Sequence, residues 1–208
     1  MTTAIRASLA YIIAGVLATF LLNAGQKYRA LAVTVIASFF HDSAIFSVVV
    51  LLLSYLIAAN ISFVRFLLLA KAIAVVCLFV ALNGVEFVFD NEWLGNLHRF
   101  VAYLDSGLNS ELKVIYLFLQ VFLLLYLCND EFRNINIEVG YFLVLGAVGV
   151  SIAAVFNQVV AIRLLGFVLG SGFLLVASRI DRSAGLASLY LVPFMLVFFL
   201  FNFYILWS

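Results

Sequence analysis

Three residues of this sequence combine a chemically useful side chain with a position beside or inside a long apolar run. Arg6 precedes one such run, His41 ends another, and Arg163 lies a few residues inside a third. Arginine stays charged and can bind phosphate oxygens through two parallel hydrogen bonds, whereas the imidazole of histidine donates or accepts a proton near neutral pH. These three side chains are therefore candidates for binding an anionic substrate and acting on it.

Each of these residues also has a purely structural interpretation. Arg163 lies close enough to a span end to extend its guanidinium to lipid headgroups. His41 can be an interfacial residue at a helix end, and a basic residue such as Arg6 is common before a first span. Lys71 falls within an apolar run, where it either reaches the headgroups or pairs inside the bundle. The spacing alone leaves all of these interpretations open.

The composition indicates that these residues belong to an integral membrane protein. Of 208 residues, 67% are hydrophobic and 10% are charged, whereas about 25% of a soluble domain is charged. The formal net charge of +1 provides no basic surface for nucleic acid, so we expect no nucleic-acid partner. The length leaves room for a single transmembrane domain over residues 1–208, embedded in a lipid bilayer.

Apolar runs of about 20 residues predict an all-α bundle of about seven or eight membrane helices. The predicted spans are 7–24, 43–60, 62–82, 113–129, 139–157, 159–178 and 187–206, with a shorter helix at 30–41. A helix of 12 residues rises only about 18 Å, so the short helix cannot cross alone and His41 at its end is expected below the headgroups. Asp42 or Ser43 is expected to cap the helix that follows.

A polar stretch at 83–112 contains several carboxylates and aromatic residues, and we expect it to form an outer loop against the bilayer with an interfacial helix near 93–104. Its carboxylates fit a solvated surface. An outer N-terminus is favoured by the distribution of basic residues. It places Lys27, Arg29, Arg65, Arg133, Arg179 and Arg182 on the cytoplasmic side and Arg6, Arg99, Lys113 and Arg163 outside. The same alternation predicts that Arg6, His41, the loop and Arg163 share one face.

Two further sets of residues are expected to serve packing. Cys77 and Cys128 form no CxxC pair and have no histidine at metal-ligand spacing, so we expect neither a metal site nor a cofactor. Gly166, Gly170 and Gly172 follow Arg163 in the same span. Glycines there permit either close helix packing or the approach of a ligand to the backbone.

Several short segments together resemble the EpsG-like branch of the Wzy polysaccharide polymerases. The resemblance includes residues 4–10 (AIRASLA), residues 36–44 (IASFFHDSA), residues 97–104 (LHRFVAYL) and Ile162-Arg163-Leu164 with Phe167 behind it. Their order agrees with that family across most of the chain. Members of the family are typically much longer, and the match is to their C-terminal half, so a shortened or split member is implied.

The resemblance implies a glycosyltransferase of the bacterial cytoplasmic membrane that polymerises oligosaccharide repeat units carried on undecaprenyl diphosphate, as in O-antigen or exopolysaccharide synthesis. Arg163 and Arg6 would hold the diphosphate, while His41 would orient or deprotonate the acceptor hydroxyl. The sugar path would be lined by loop residues, namely Trp93, Arg99, Tyr103 and Asp105. Partners would be the lipid-linked glycans and other glycan-assembly proteins.

Two other functions fit the same residue pattern. A transporter or flippase subunit would also gather charge at membrane depth, although it would be favoured by internal repeats and paired broken helices, which the sequence lacks. A non-catalytic scaffold of a glycan export system would need only the helix faces. The scaffold would be favoured if His41 and Arg163 lay far apart or faced the lipid.

Overall fold

The computed structural model describes Arg6 and residues 9–83, 110–130 and 136–180, and within these residues the chain is all-helical. Seven helices follow one another, and a short 3-10 turn at Asp42–Ala44 precedes the third. They are α1 (Leu9–Asn23), α2 (Lys27–Phe40), α3 (Ile45–Asn60), α4 (Phe63–Asn83), α5 (Ser110–Asp130), α6 (Ile137–Phe156) and α7 (Gln158–Ile180).

The predicted helices in the described part of the chain are confirmed. Three of them, over Asp42–Asn60, Phe63–Leu82 and Ile137–Phe156, are long and apolar enough to cross a membrane. The short helix α2 ends at Phe40, directly before His41. The span predicted at 187–206, the interfacial helix at 93–104 and nearly all of the loop at 83–112 lie outside the described residues.

Helix α6 forms the centre of the bundle and packs against α3, α4, α5 and α7. Two of its glycines permit this packing. A Cβ atom at Gly146 would lie 2.8 Å from a methyl group of Val168 on α7, and one at Gly149 would lie 2.7 Å from the ring of Phe46 on α3. The outward faces of α3 and α4 are apolar and exposed, with Leu56, Val64, Leu68, Val76 and Phe79 among their side chains.

The helix directions give the bundle two distinct ends. At one end, Lys27 forms an ion pair with Glu138. The amide side chain of Asn136 caps α6 and also donates to the carbonyl of Leu22 at the end of α1. The Tyr141 hydroxyl donates to the carbonyl of Ile61 at 2.5 Å. We call this the Lys27 end, and the opposite end, where α2 finishes, the His41 end.

Helix α1 contains a π-helical segment at Ile12–Leu17, in which the Ala18 N–H donates to the carbonyl of Ile13. A π turn leaves a carbonyl without its usual helical partner. Here the Gly15 carbonyl accepts from the Thr19 hydroxyl at 2.5 Å and from the Ser171 hydroxyl of α7 at 3.0 Å. The irregular segment is therefore hydrogen-bonded directly to the neighbouring helix.

Candidate functional site

Small side chains bring four elements close together near the His41 end. A cluster separate from the main core contains Ala10 and Ala14 of α1, Ala37 of α2, Ala44 of the 3-10 turn, and Phe167 of α7. All five residues are buried. Alanine brings little bulk to a helix contact, so the backbones can approach closely and the polar residues beside the cluster are held near one another.

Tyr11 lies at the meeting point of these elements. Its ring lies over Gly166, with ring carbons 3.5 and 3.6 Å from where a Cβ atom would be. It also contacts Phe167 edge to face, with ring centroids 4.4 Å apart. The His41 ring is 6.4 Å from the Tyr11 ring, and Gly166, on which Tyr11 packs, lies three residues after Arg163 on α7. Tyr11 therefore links the two residues that the sequence singled out most strongly.

The His41 ring is oriented by the backbone of its own turn. Its Nδ1 atom accepts a hydrogen bond from the Ser43 N–H at 3.1 Å. The expectation that Asp42 or Ser43 would cap this helix start is wrong, because the extended backbone of His41 brings its own ring to the free N–H group. In the neutral ring the proton then lies on Nε2, which makes that nitrogen a donor.

This tautomer bears on the chemistry expected of His41. Abstracting a proton from a hydroxyl would need a free lone pair on the exposed nitrogen, and Nε2 has none while Nδ1 caps the turn. Donation of a hydrogen bond to a phosphate or sugar oxygen needs only the proton that Nε2 already carries. Of the two roles expected for His41, the arrangement favours orientation of a substrate over proton abstraction.

Both arginines are on the exposed surface of the same end. Arg163 is exposed in the second turn of α7, and Arg6 is exposed five residues ahead of Tyr11. Helices α1 and α7 run in the same direction, since Tyr11 packs on Gly166 and Gly15 packs on Gly170. That register places Arg6 and Arg163 toward the same ends of two adjacent helices.

The glycines after Arg163 are used by helix packing. Gly170 lies against Gly15 and Val16 of α1, and a Cβ atom at Gly172 would lie 2.8 Å from Leu124 of α5. The structure therefore favours the packing interpretation of these residues over ligand approach. Lys71 lies in the middle of α4 and is half-buried.

The described residues include only part of the predicted site. The structure places His41 beside Tyr11 and places Arg163 three residues before Gly166, on which Tyr11 packs, with Arg6 near the same end. Trp93, Arg99, Tyr103 and Asp105 lie outside the described residues. Among the residues that are described, no three His, Cys, Asp or Glu side chains group so as to hold a metal ion.

Sequence reasoning missed Tyr11. The only signal in the sequence was a tyrosine five positions after Arg6. Apolar spans contain many aromatic residues, so this position did not stand out. Asp42 is also exposed on the turn beside His41, so charges of both signs lie toward this end of the bundle.

No family model, no curated protein and no solved structure matches the chain.

Proposed function

We propose that this chain is a multi-pass protein of the bacterial cytoplasmic membrane that binds undecaprenyl-diphosphate-linked oligosaccharides and polymerises them, as a shortened Wzy-type polymerase. The observation that carries the proposal is the packing of Tyr11 on Gly166 of α7, three residues after Arg163, with the Tyr11 ring 6.4 Å from that of His41. Three hydrogen-bond donors, namely the Nε2–H, the phenol and the guanidinium, thereby converge at one end of the bundle.

A group of donors is suited to an anion with several oxygens. A lipid diphosphate presents such oxygens beside a long apolar chain, so its binding site must lie where a membrane-embedded surface meets water. The exposed apolar faces of α3 and α4 fit contact with lipid. The basic residues Lys27, Arg29 and Arg65 lie toward the opposite end, which fits a cytoplasmic location for the Lys27 end under the positive-inside rule.

In the proposed reaction the bond between the growing glycan and its lipid diphosphate breaks, and a glycosidic bond forms to a hydroxyl of the acceptor unit. The proton of that hydroxyl passes to the departing diphosphate. Arg163 stabilises the negative charge that develops on the departing diphosphate, and Arg6 supports it from the adjacent helix. His41 orients a substrate oxygen through Nε2–H. The loop residues Trp93, Arg99, Tyr103 and Asp105 are proposed to line the sugar path.

A ladder assay tests this proposal. Membranes containing the chain and lipid-linked repeat units are compared for wild type, Arg163→Lys and His41→Ala. Arg163→Lys keeps the charge and loses the planar fork, so we expect polymerisation to fall by about tenfold or more, while the variant inserts normally. Arg65→Lys, an exposed arginine far from the His41 end, is the matched control and should leave the ladder unchanged.

The competing functions give different results in this assay. A scaffold or a transporter subunit produces no ladder by itself, even when the wild-type chain is fully inserted. Normal polymerisation by Arg163→Lys would instead contradict the diphosphate role of Arg163 while leaving the enzyme class intact.

A further inference from the structure

The Tyr11 side chain has a fixed ring and an unused proton. Its ring is held against Gly166 and Phe167. Within the described residues, the phenolic hydroxyl takes part in no hydrogen bond. A ring held by packing loses little further freedom when its hydroxyl binds a ligand, so the group is preorganised for donation.

Neither Arg163 nor His41 supplies an acceptor for this proton. Arg163 carries only donors, and the free nitrogen of His41 is Nε2–H because Nδ1 is occupied by the turn. The side chains that hold the ring itself are apolar. A phenylalanine would make the same ring contacts, so packing alone does not account for the hydroxyl.

We propose that Tyr11 is a substrate-contacting residue whose hydroxyl donates a hydrogen bond to a phosphate oxygen of the lipid diphosphate, between the contacts made by His41 and Arg163. This inference rests on the proposed function and adds a specific donor to it. An oxygen of the ligand accepts the phenolic proton. Because the Tyr11 ring is packed on α7, the position of that oxygen along the helix axis is fixed.

Binding of farnesyl diphosphate to the full-length chain in lipid nanodiscs tests the inference. Titration calorimetry compares wild type with Tyr11→Phe, which keeps the ring and removes the hydroxyl. A hydrogen bond to a charged group predicts an affinity about tenfold weaker. The apparent melting temperature should stay unchanged, because the contacts with Gly166 and Phe167 remain. Tyr28→Phe is the matched control, since Tyr28 is 90% exposed and belongs to α2 near the Lys27 end.

The outcomes separate the inference from the proposed function. If wild type binds farnesyl diphosphate and Arg163→Gln weakens binding while Tyr11→Phe does not, the role of Tyr11 is refuted and the diphosphate site stands. If wild type shows no more affinity for farnesyl diphosphate than for farnesol, the diphosphate site itself is wrong, and the role of Tyr11 fails with it. A loss confined to Tyr11→Phe and Arg163→Gln, with normal binding by Tyr28→Phe, supports both.

Discussion

The contact between α1 and α7 depends on the absence of a side chain at Gly15. A Cβ atom there would lie 2.9 Å from the backbone carbonyl oxygen of Phe167, whereas ordinary contacts begin at 3.4 Å. A backbone atom cannot rotate away as a side chain can, so Gly15→Ala must move the two helices apart by about half an ångström. Overpacking of this kind costs about 1–3 kcal/mol in unfolding free energy.

Gly170→Ala is a matched control on the other side of the same contact. Its added methyl would meet a side-chain atom of Val16 at 3.5 Å, which is ordinary van der Waals contact. Replacing a helical glycine by alanine contributes up to about 1 kcal/mol of helix stability. We therefore expect Gly170→Ala to match or exceed wild type. Both variants gain the same helix propensity, so Gly15→Ala should fall about 1–3 kcal/mol below Gly170→Ala.

The assay is reversible unfolding in mixed micelles with increasing sodium dodecyl sulfate, followed by far-ultraviolet circular dichroism. Both variants are compared at the same protein-to-lipid ratio, and the difference between their unfolding free energies is the quantity of interest. Equal stability of Gly15→Ala and Gly170→Ala would refute the reasoning, because the two substitutions add the same methyl group at the same helix contact.

Two further predictions concern hydrogen bonds that join helices. Thr19→Val and Ser171→Ala should each lower the unfolding free energy by about 0.5–1.5 kcal/mol. The double variant should lose more than the sum of the two, because the buried Gly15 carbonyl then loses both hydroxyl donors. A double-mutant cycle in the same micelles measures this coupling, and strict additivity would contradict it. Tyr141→Phe removes the hydrogen bond to the Ile61 carbonyl and keeps the aromatic stacking, so it should lower the unfolding free energy by about 1 kcal/mol. Unchanged stability would show that this hydrogen bond contributes nothing.

The helices could be predicted from the sequence because apolar runs and polar interruptions are local features. The pair Asn157-Gln158 interrupts the apolar sequence, and the structure ends α6 at Phe156 and begins α7 at Gln158. The end of α2 before His41 was found in the same way. Run length and hydropathy decide these boundaries, and no knowledge of the neighbouring helices is needed.

The details of the candidate site depend on contacts between distant parts of the chain, and these could not be predicted. That Tyr11 lies on Gly166 follows from the parallel packing of α1 and α7, which no single-helix pattern encodes. The cap made by His41 depends on the extended backbone of that one residue. The sequence offered Asp42 and Ser43, both common capping residues, at the same helix start. Helical periodicity likewise assumes regular turns, so it cannot reveal the π segment of α1.

The π segment of α1 separates the orientation of its two halves. Each residue of an α-helix adds a rotation of about 100° around the helix axis. An extra residue within Ile12–Leu17 therefore rotates the first half of α1 relative to the second half by about that angle. Arg6 and Tyr11 lie before the segment, while the buried residues Ala18 and Leu22 lie after it. Deleting one residue there would leave the second half of α1 in its place and turn Arg6 and Tyr11 away from α7. The alignment of the two arginine-bearing helix ends is therefore set by a single-residue insertion, which could be gained or lost in one step.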